Sequence, residues 1–102
     1  MTQWSESRLV RLEWRAAARE DLLAIIKAIA EDKPVAARKF LADVEARVSA
    51  LAAFPELGKT SDGDGATGLR ELVVHTNYVV FYRFDDVRVE VITVIHAHRN
   101  WP

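Results

Sequence analysis

Apolar residues recur along this chain with two different spacings, one suited to helices and one to strands. From Arg8 to Trp14 the pattern alternates: Val10, Leu12 and Trp14 share one side, Arg11 and Glu13 the other. That predicts a half-buried strand. Helix spacing follows at once. Ala16, Ala17 and Ala18 are strong helix formers, and Ala18, Leu22, Ile25 and Ile29 form a stripe that Ile26 widens. Asp32-Lys33-Pro34 stops this helix and opens the next, since proline fits a helix's first turn, where its missing N–H costs nothing. The second helix is predicted over Pro34 to Ala53, with Ala37, Leu41, Val44, Val48 and Leu51 as its stripe and Phe40 beside it. Two apolar stripes joined by so short a connection predict an antiparallel helical hairpin.

Phe54-Pro55-Glu56-Leu57-Gly58 ends the second helix. The stretch Lys59 to Gly68, KTSDGDGATG, is polar and rich in glycine and predicts a mobile loop. From Leu69 to Trp101 the strand spacing returns. Segments rich in Val, Ile, Phe and Tyr are separated by the polar breaks Thr76-Asn77 and Asp85-Asp86, the pattern of a three-stranded antiparallel meander. The expected order is strand, helix, helix, strand, strand, strand. It indicates an α+β fold with the helices packed on one face of the sheet. In the last strand, alternation assigns Val87, Val89, Val91, Thr93 and Ile95 to the core. It assigns Arg88, Glu90, Ile92, Val94 and His96 to the opposite face. Two helices cover one sheet face, so the second face invites a partner chain.

With 102 residues, half of them apolar, the chain is read as a single domain over 1–102. There is no cysteine, which excludes disulfides and thiol catalysis and fits a reducing cytoplasm. The start, MTQWSESRLVRLEW, carries no apolar run long enough for a signal peptide or a membrane span. The net charge of −1 argues against broad nucleic-acid binding, which ordinarily needs a basic excess.

Candidate chemistry lies at the end of the chain. His96, His98 and Arg99 close the most apolar strand, followed by Trp101 as an apolar anchor. Histidine titrates near neutrality and suits general acid–base work; if the chain cuts RNA, these three are the catalytic candidates. Arg70, Arg83 and Arg99, with Trp101, are the candidates for binding a target or a phosphate, because planar guanidinium pairs well with carboxylate and phosphate. Tyr78 and Tyr82 share a strand face with Val80 and Phe84 and read as core residues. His96 and His98 lack a clear third metal ligand, so no metal or other cofactor is expected. Gly58-Lys59-Thr60 is not a phosphate loop, since Ala53 stands where the earlier glycine belongs and a helix leads in. Asp62-Gly63-Asp64-Gly65 is not a calcium loop, since Ala66 and Val73 stand where oxygen ligands belong.

The chain also resembles a known family along almost its whole length. The resemblance rests on Trp14, on Ala18, Asp21 and Leu22 in an A-x-x-D-L pattern, and on Ile25, Ile29 and Ala30. It continues through Asp32-Lys33-Pro34, Phe40, Leu51-Ala52-Ala53-Phe54-Pro55 and Gly58, then Gly68-Leu69-Arg70-Glu71-Leu72 and Tyr78-Val79-Val80-Phe81-Tyr82-Arg83. It ends with Val94-Ile95-His96-Ala97-His98-Arg99-Asn100-Trp101-Pro102. In order and spacing these are similar to the RelE/ParE superfamily, the toxins of type II toxin–antitoxin modules, also called plasmid-stabilisation proteins.

The resemblance implies a cognate antitoxin from the neighbouring gene whose C-terminal segment wraps the toxin, giving a hetero-oligomer. Its expected seat is the groove between helices and sheet, with acidic groups on arginines. Members resembling RelE cut mRNA on the ribosome; members resembling ParE inhibit DNA gyrase. Val74 stands where the nuclease branch carries a strand arginine, and Ala97 where it carries another, although His96 and Arg99 are possible substitutes. The His-Ala-His-Arg-Asn-Trp ending looks more like ParE. The favoured expectation is a gyrase inhibitor without chemistry of its own. Its alternatives are a ribosome-dependent mRNA endonuclease and an inactive partner-binding relic. No membrane partner is expected.

Overall fold

The computed structural model describes residues 10–61 and 67–96. A short strand β1 (Arg11–Trp14) leads into helices α1 (Ala16–Asp32) and α2 (Pro34–Ser49). Two 3-10 turns follow, Ala50–Ala52 and Pro55–Leu57. Strands β2 (Lys59–Thr60), β3 (Arg70–His75), β4 (Tyr78–Phe84) and β5 (Arg88–His96) complete one five-stranded sheet in the order β1-β5-β4-β3-β2. The meander is antiparallel, whereas β1 runs parallel to β5. Parallel neighbours need a long crossover, and the hairpin with two-thirds of the meander supplies it.

Lys33 alone separates the helices. Its N–H caps α1 on the Ile29 carbonyl at 2.8 Å, and its carbonyl accepts the Ala37 N–H at 3.0 Å. Pro34 then opens α2 as the sequence predicts. Ala18 and Leu22 of α1, and Ala37, Phe40, Val44 and Val48 of α2, are buried. All but Ala37 pack on Leu72, Val74, Val80, Tyr82, Val89, Val91 and Val94 from the sheet. A valine- or phenylalanine-sized side chain buried this way stabilises the fold by about 1.5–3 kcal/mol.

Several expectations are corrected. α2 stops at Ser49, and the remaining turn tightens to 3-10 geometry as the Ala53 and Phe54 N–H groups both close on the Ala50 carbonyl. The predicted loop begins with a strand, because Lys59 and Thr60 pair with Glu71 and Arg70. The sheet therefore has five strands rather than four. Within that loop, residues 62–66 lie outside the described residues.

The face assignment of the last strand is the largest correction. Tyr82 pairs with Val91 and Phe81 with Thr93, so Ile92 is an extra residue at a β-bulge. Each side chain beyond it changes face. Val94 and His96 join Val89 and Val91 on the helix side, while Thr93 and Ile95 turn to the open side. Val87 sits in the preceding turn, 59% exposed, and is not core. A second irregularity in β3, between Val73 and His75, brings His75 opposite Tyr78, while Val74 stays buried on the core side with Leu72. The open face is thus divided. Arg11, Glu13, Arg83, Arg88 and Glu90 occupy one end, and Val73, Phe81 and Ile95 the other, beside the buried Val79.

Candidate functional site

Asp21 fixes α1 to the bulged strand. β1 ends where the Arg15 N–H meets the Val91 carbonyl, so among the described residues the β5 edge beyond has no strand partner. The Asp21 carboxylate covers it, accepting the Thr93 hydroxyl at 2.6 Å and the Val94 N–H at 3.3 Å. The A-x-x-D-L pattern contained this residue, but a contact so distant in sequence left no trace of its role.

The far end of the core is closed by the turn Pro55–Leu57. Tyr82 is fully buried. Its hydroxyl donates to the Pro55 carbonyl at 2.6 Å and accepts the Gly58 N–H at 2.9 Å. A side chain at residue 58 would collide with this arrangement, since its Cβ would lie 2.5 Å from the Glu71 carbonyl oxygen and 2.8 Å from the phenol.

Arg70 serves the same turn. Its guanidinium donates to the Gly58 carbonyl at 2.6 and 3.1 Å and to the Glu56 carbonyl at 3.2 Å, and lies over the Phe84 ring. Arg83, by contrast, is exposed on the open face and forms no hydrogen bond or ion pair with another described residue. Its neighbours are paired. Arg88 reaches Glu13 at 3.1 Å and Arg15 reaches Glu90 at 2.9 Å, and the Arg15 hydrogen bond holds the Glu90 carboxyl below its usual range.

His96 lies at the opposite end of β5, on the helix side. Its ring meets Tyr78 edge-on at 4.7 Å, Tyr78 meets Phe40 at 4.9 Å, and Phe40 meets His75 at 5.2 Å. His75 approaches Asp43 at 3.5 Å. His96 and Arg83 are therefore on opposite faces, with Arg83 opposite Glu90, six residues from His96 along β5. At strand rise that is roughly 20 Å. His98, Arg99 and Trp101 lie outside the described residues. Among the described residues no group of three His, Asp or Glu side chains is placed to hold a metal, and no helix is long and apolar enough to cross a membrane.

An apolar groove of about 640 Å³ runs along the hairpin and β1. Leu12, Trp14, Leu22, Leu23, Ile26, Leu41 and Val48 line it, with Arg19 and Glu45 among its polar residues. Leu23 is 63% exposed. A leucine off the buried stripe was the available signal for this groove, and the helix periodicity alone passed over it.

Residues 12–101 match the family described as the ParE toxin of the type II toxin–antitoxin system parDE. A putative toxin, Y4kP, of Sinorhizobium fredii is 36% identical over 93 residues, spanning 90% of this chain and 93% of its own. Toxin RelE2 of Caulobacter vibrioides is 36% identical over 86 residues, 84% of this chain and 91% of its own. Among solved structures, a chromosomal ParDE system from P. aeruginosa superposes with a TM-score of 0.74 over 88% of this chain and 98% of that one. At 22% identity it speaks for the fold alone. A chain of the RelBE2 toxin–antitoxin complex from Mycobacterium tuberculosis gives a TM-score of 0.59 at 25% identity, over 86% of this chain and 98% of that one. The protein belongs to the ParE toxin family of type II toxin–antitoxin systems, within the RelE/ParE superfamily.

Proposed function

We propose that this toxin inhibits DNA gyrase by binding it, without chemistry of its own, and that a cognate antitoxin neutralises it. The observation that carries the choice is the separation of the candidate groups. Cleavage of RNA through its 2′-OH needs an acid or base within hydrogen-bond reach of the reacting atoms, with cations on the same phosphate. Of the described candidates, His96 packs against Tyr78 on the helix side, Arg70 is spent on two carbonyls, and Arg83 faces the other way. They do not converge on one phosphate. In this reading Arg83, together with His98, Arg99 and Trp101 of the ending, serves as target contact.

The groove beside Leu12, Trp14, Leu23 and Ile26 suits the antitoxin. An amphipathic helix spaced i, i+3 or i+4, and i+7 would set its apolar row there, with an acidic side chain toward Arg19. The RelBE2 neighbour is itself a toxin–antitoxin complex, which supports such a partner. The names RelE2 and RelBE2 among the relatives keep mRNA cleavage as the second reading. Expression of the chain without antitoxin tests the choice. A gyrase inhibitor arrests growth with induction of the DNA-damage response. An mRNA nuclease arrests it with global transcript cleavage, and an inactive relic leaves growth unchanged.

A further inference from the structure

Phe84, at the distal end of β4, borders two recesses of different character. On one side Phe54, Pro55 and Leu57 form with it an apolar shelf of about 420 Å³, on which Phe54 is 65% and Leu57 44% exposed. On the other side Arg83, Asp85, Arg88 and Glu90 form a polar notch of about 270 Å³. The shelf is rigid. Phe54 is tied through its N–H to the Ala50 carbonyl and through its carbonyl to the Leu57 N–H. Tyr82 and Arg70 hold Pro55, Glu56 and Gly58 from beneath. Holding the backbone beneath exposed apolar side chains before a partner arrives lowers the ordering cost of binding.

We propose that this end of the sheet is a protein-docking surface by which the toxin grips its target. It takes a segment that places an apolar side chain on the Phe54–Leu57 shelf and a carboxylate on Arg83. The proposal rests on the reading above, that the target is a protein. Charge favours that class over nucleic acid. Glu13 and Glu90 alternate with Arg88 and Arg83, and Asp85 shares the notch, so a continuous phosphate backbone would meet carboxylates as often as guanidiniums. A single carboxylate beside an apolar anchor needs one guanidinium, and Arg83 forms no ion pair with another described residue. The surface shares no lining residue with the groove assigned to the antitoxin.

Purified full-length Phe54→Ser and Arg83→Glu variants test this against purified gyrase, with the antitoxin as a second ligand. Both variants should melt like the parent and bind antitoxin as tightly, while gyrase inhibition weakens about thirtyfold or more, the scale of an interface hot spot. Full inhibition by both variants overturns the proposal, as does a parallel loss of antitoxin binding, or binding of a DNA duplex that Arg83→Glu abolishes. If the parent arrests growth but leaves gyrase untouched, the gyrase reading fails alone. The surface is then judged by growth arrest, which both variants should still relieve. A parent that arrests no growth overturns both.

Discussion

The phenol of Tyr82 donates a 2.6 Å hydrogen bond to the carbonyl of Pro55, and so pins the turn that closes the core to the middle of the sheet. The same oxygen receives the Gly58 N–H, and only glycine leaves room for it.

Tyr82→Phe strands both backbone partners and should cost about 1–3 kcal/mol of stability. Gly58→Ala forces a methyl against the Glu71 carbonyl and should cost at least as much, about 1–3 kcal/mol. Urea unfolding of both variants checks this. Parental midpoints would show that the turn does not depend on the pair.

Asp21→Ala removes the acceptor shared by the Thr93 hydroxyl and the Val94 N–H. A loss of about 1–2 kcal/mol is expected, with faster hydrogen exchange at the Val94 N–H, while the Arg15 N–H, which donates to the Val91 carbonyl, keeps its protection. Unchanged protection at Val94 would contradict the contact.

Much of the fold was legible because each element follows one period. The alternation in β1, the hairpin stripes and the meander breaks all lie where the sequence places them. What escaped depends on contacts or on register. A bulge at Ile92 in a run of β-branched residues leaves no compositional mark, yet it moves Val94 and His96 to the helix side. Lys59–Thr60 gives too short a strand for any period to be seen. Arg70 and Arg83 look alike in sequence, and only the turn folded over Arg70 separates the guanidinium used internally from the one facing solvent.

Acid should loosen the turn between β4 and β5. Asp85 accepts the Val87 and Arg88 N–H groups at 2.8 and 3.0 Å, and these bonds hold its carboxyl below the usual range. A depressed folded-state value stabilises above the unfolded value, about pH 4, and that contribution is lost as pH falls through the folded value. The Val87 and Arg88 amide shifts should titrate together with a midpoint below that of a free aspartate. A midpoint at or above it would contradict the assignment.

Charge placed in the hairpin groove should separate neutralisation from toxicity. Leu23→Glu alters the groove wall at an exposed position, so stability should change little while antitoxin affinity falls about thirtyfold or more. Cells carrying such a toxin with its antitoxin should stop growing. Full rescue by the antitoxin would place its seat elsewhere.

The central claim, that this toxin binds and inhibits gyrase rather than cutting RNA, is tested most directly with purified components. Increasing amounts of the full chain are added to a gyrase supercoiling reaction and, separately, to ribosomes translating a defined mRNA. Supercoiling should fall with dose and recover when antitoxin is added, while the mRNA stays intact. Undiminished supercoiling together with ribosome-dependent mRNA cleavage would contradict the claim and return the activity to His96, His98 and Arg99.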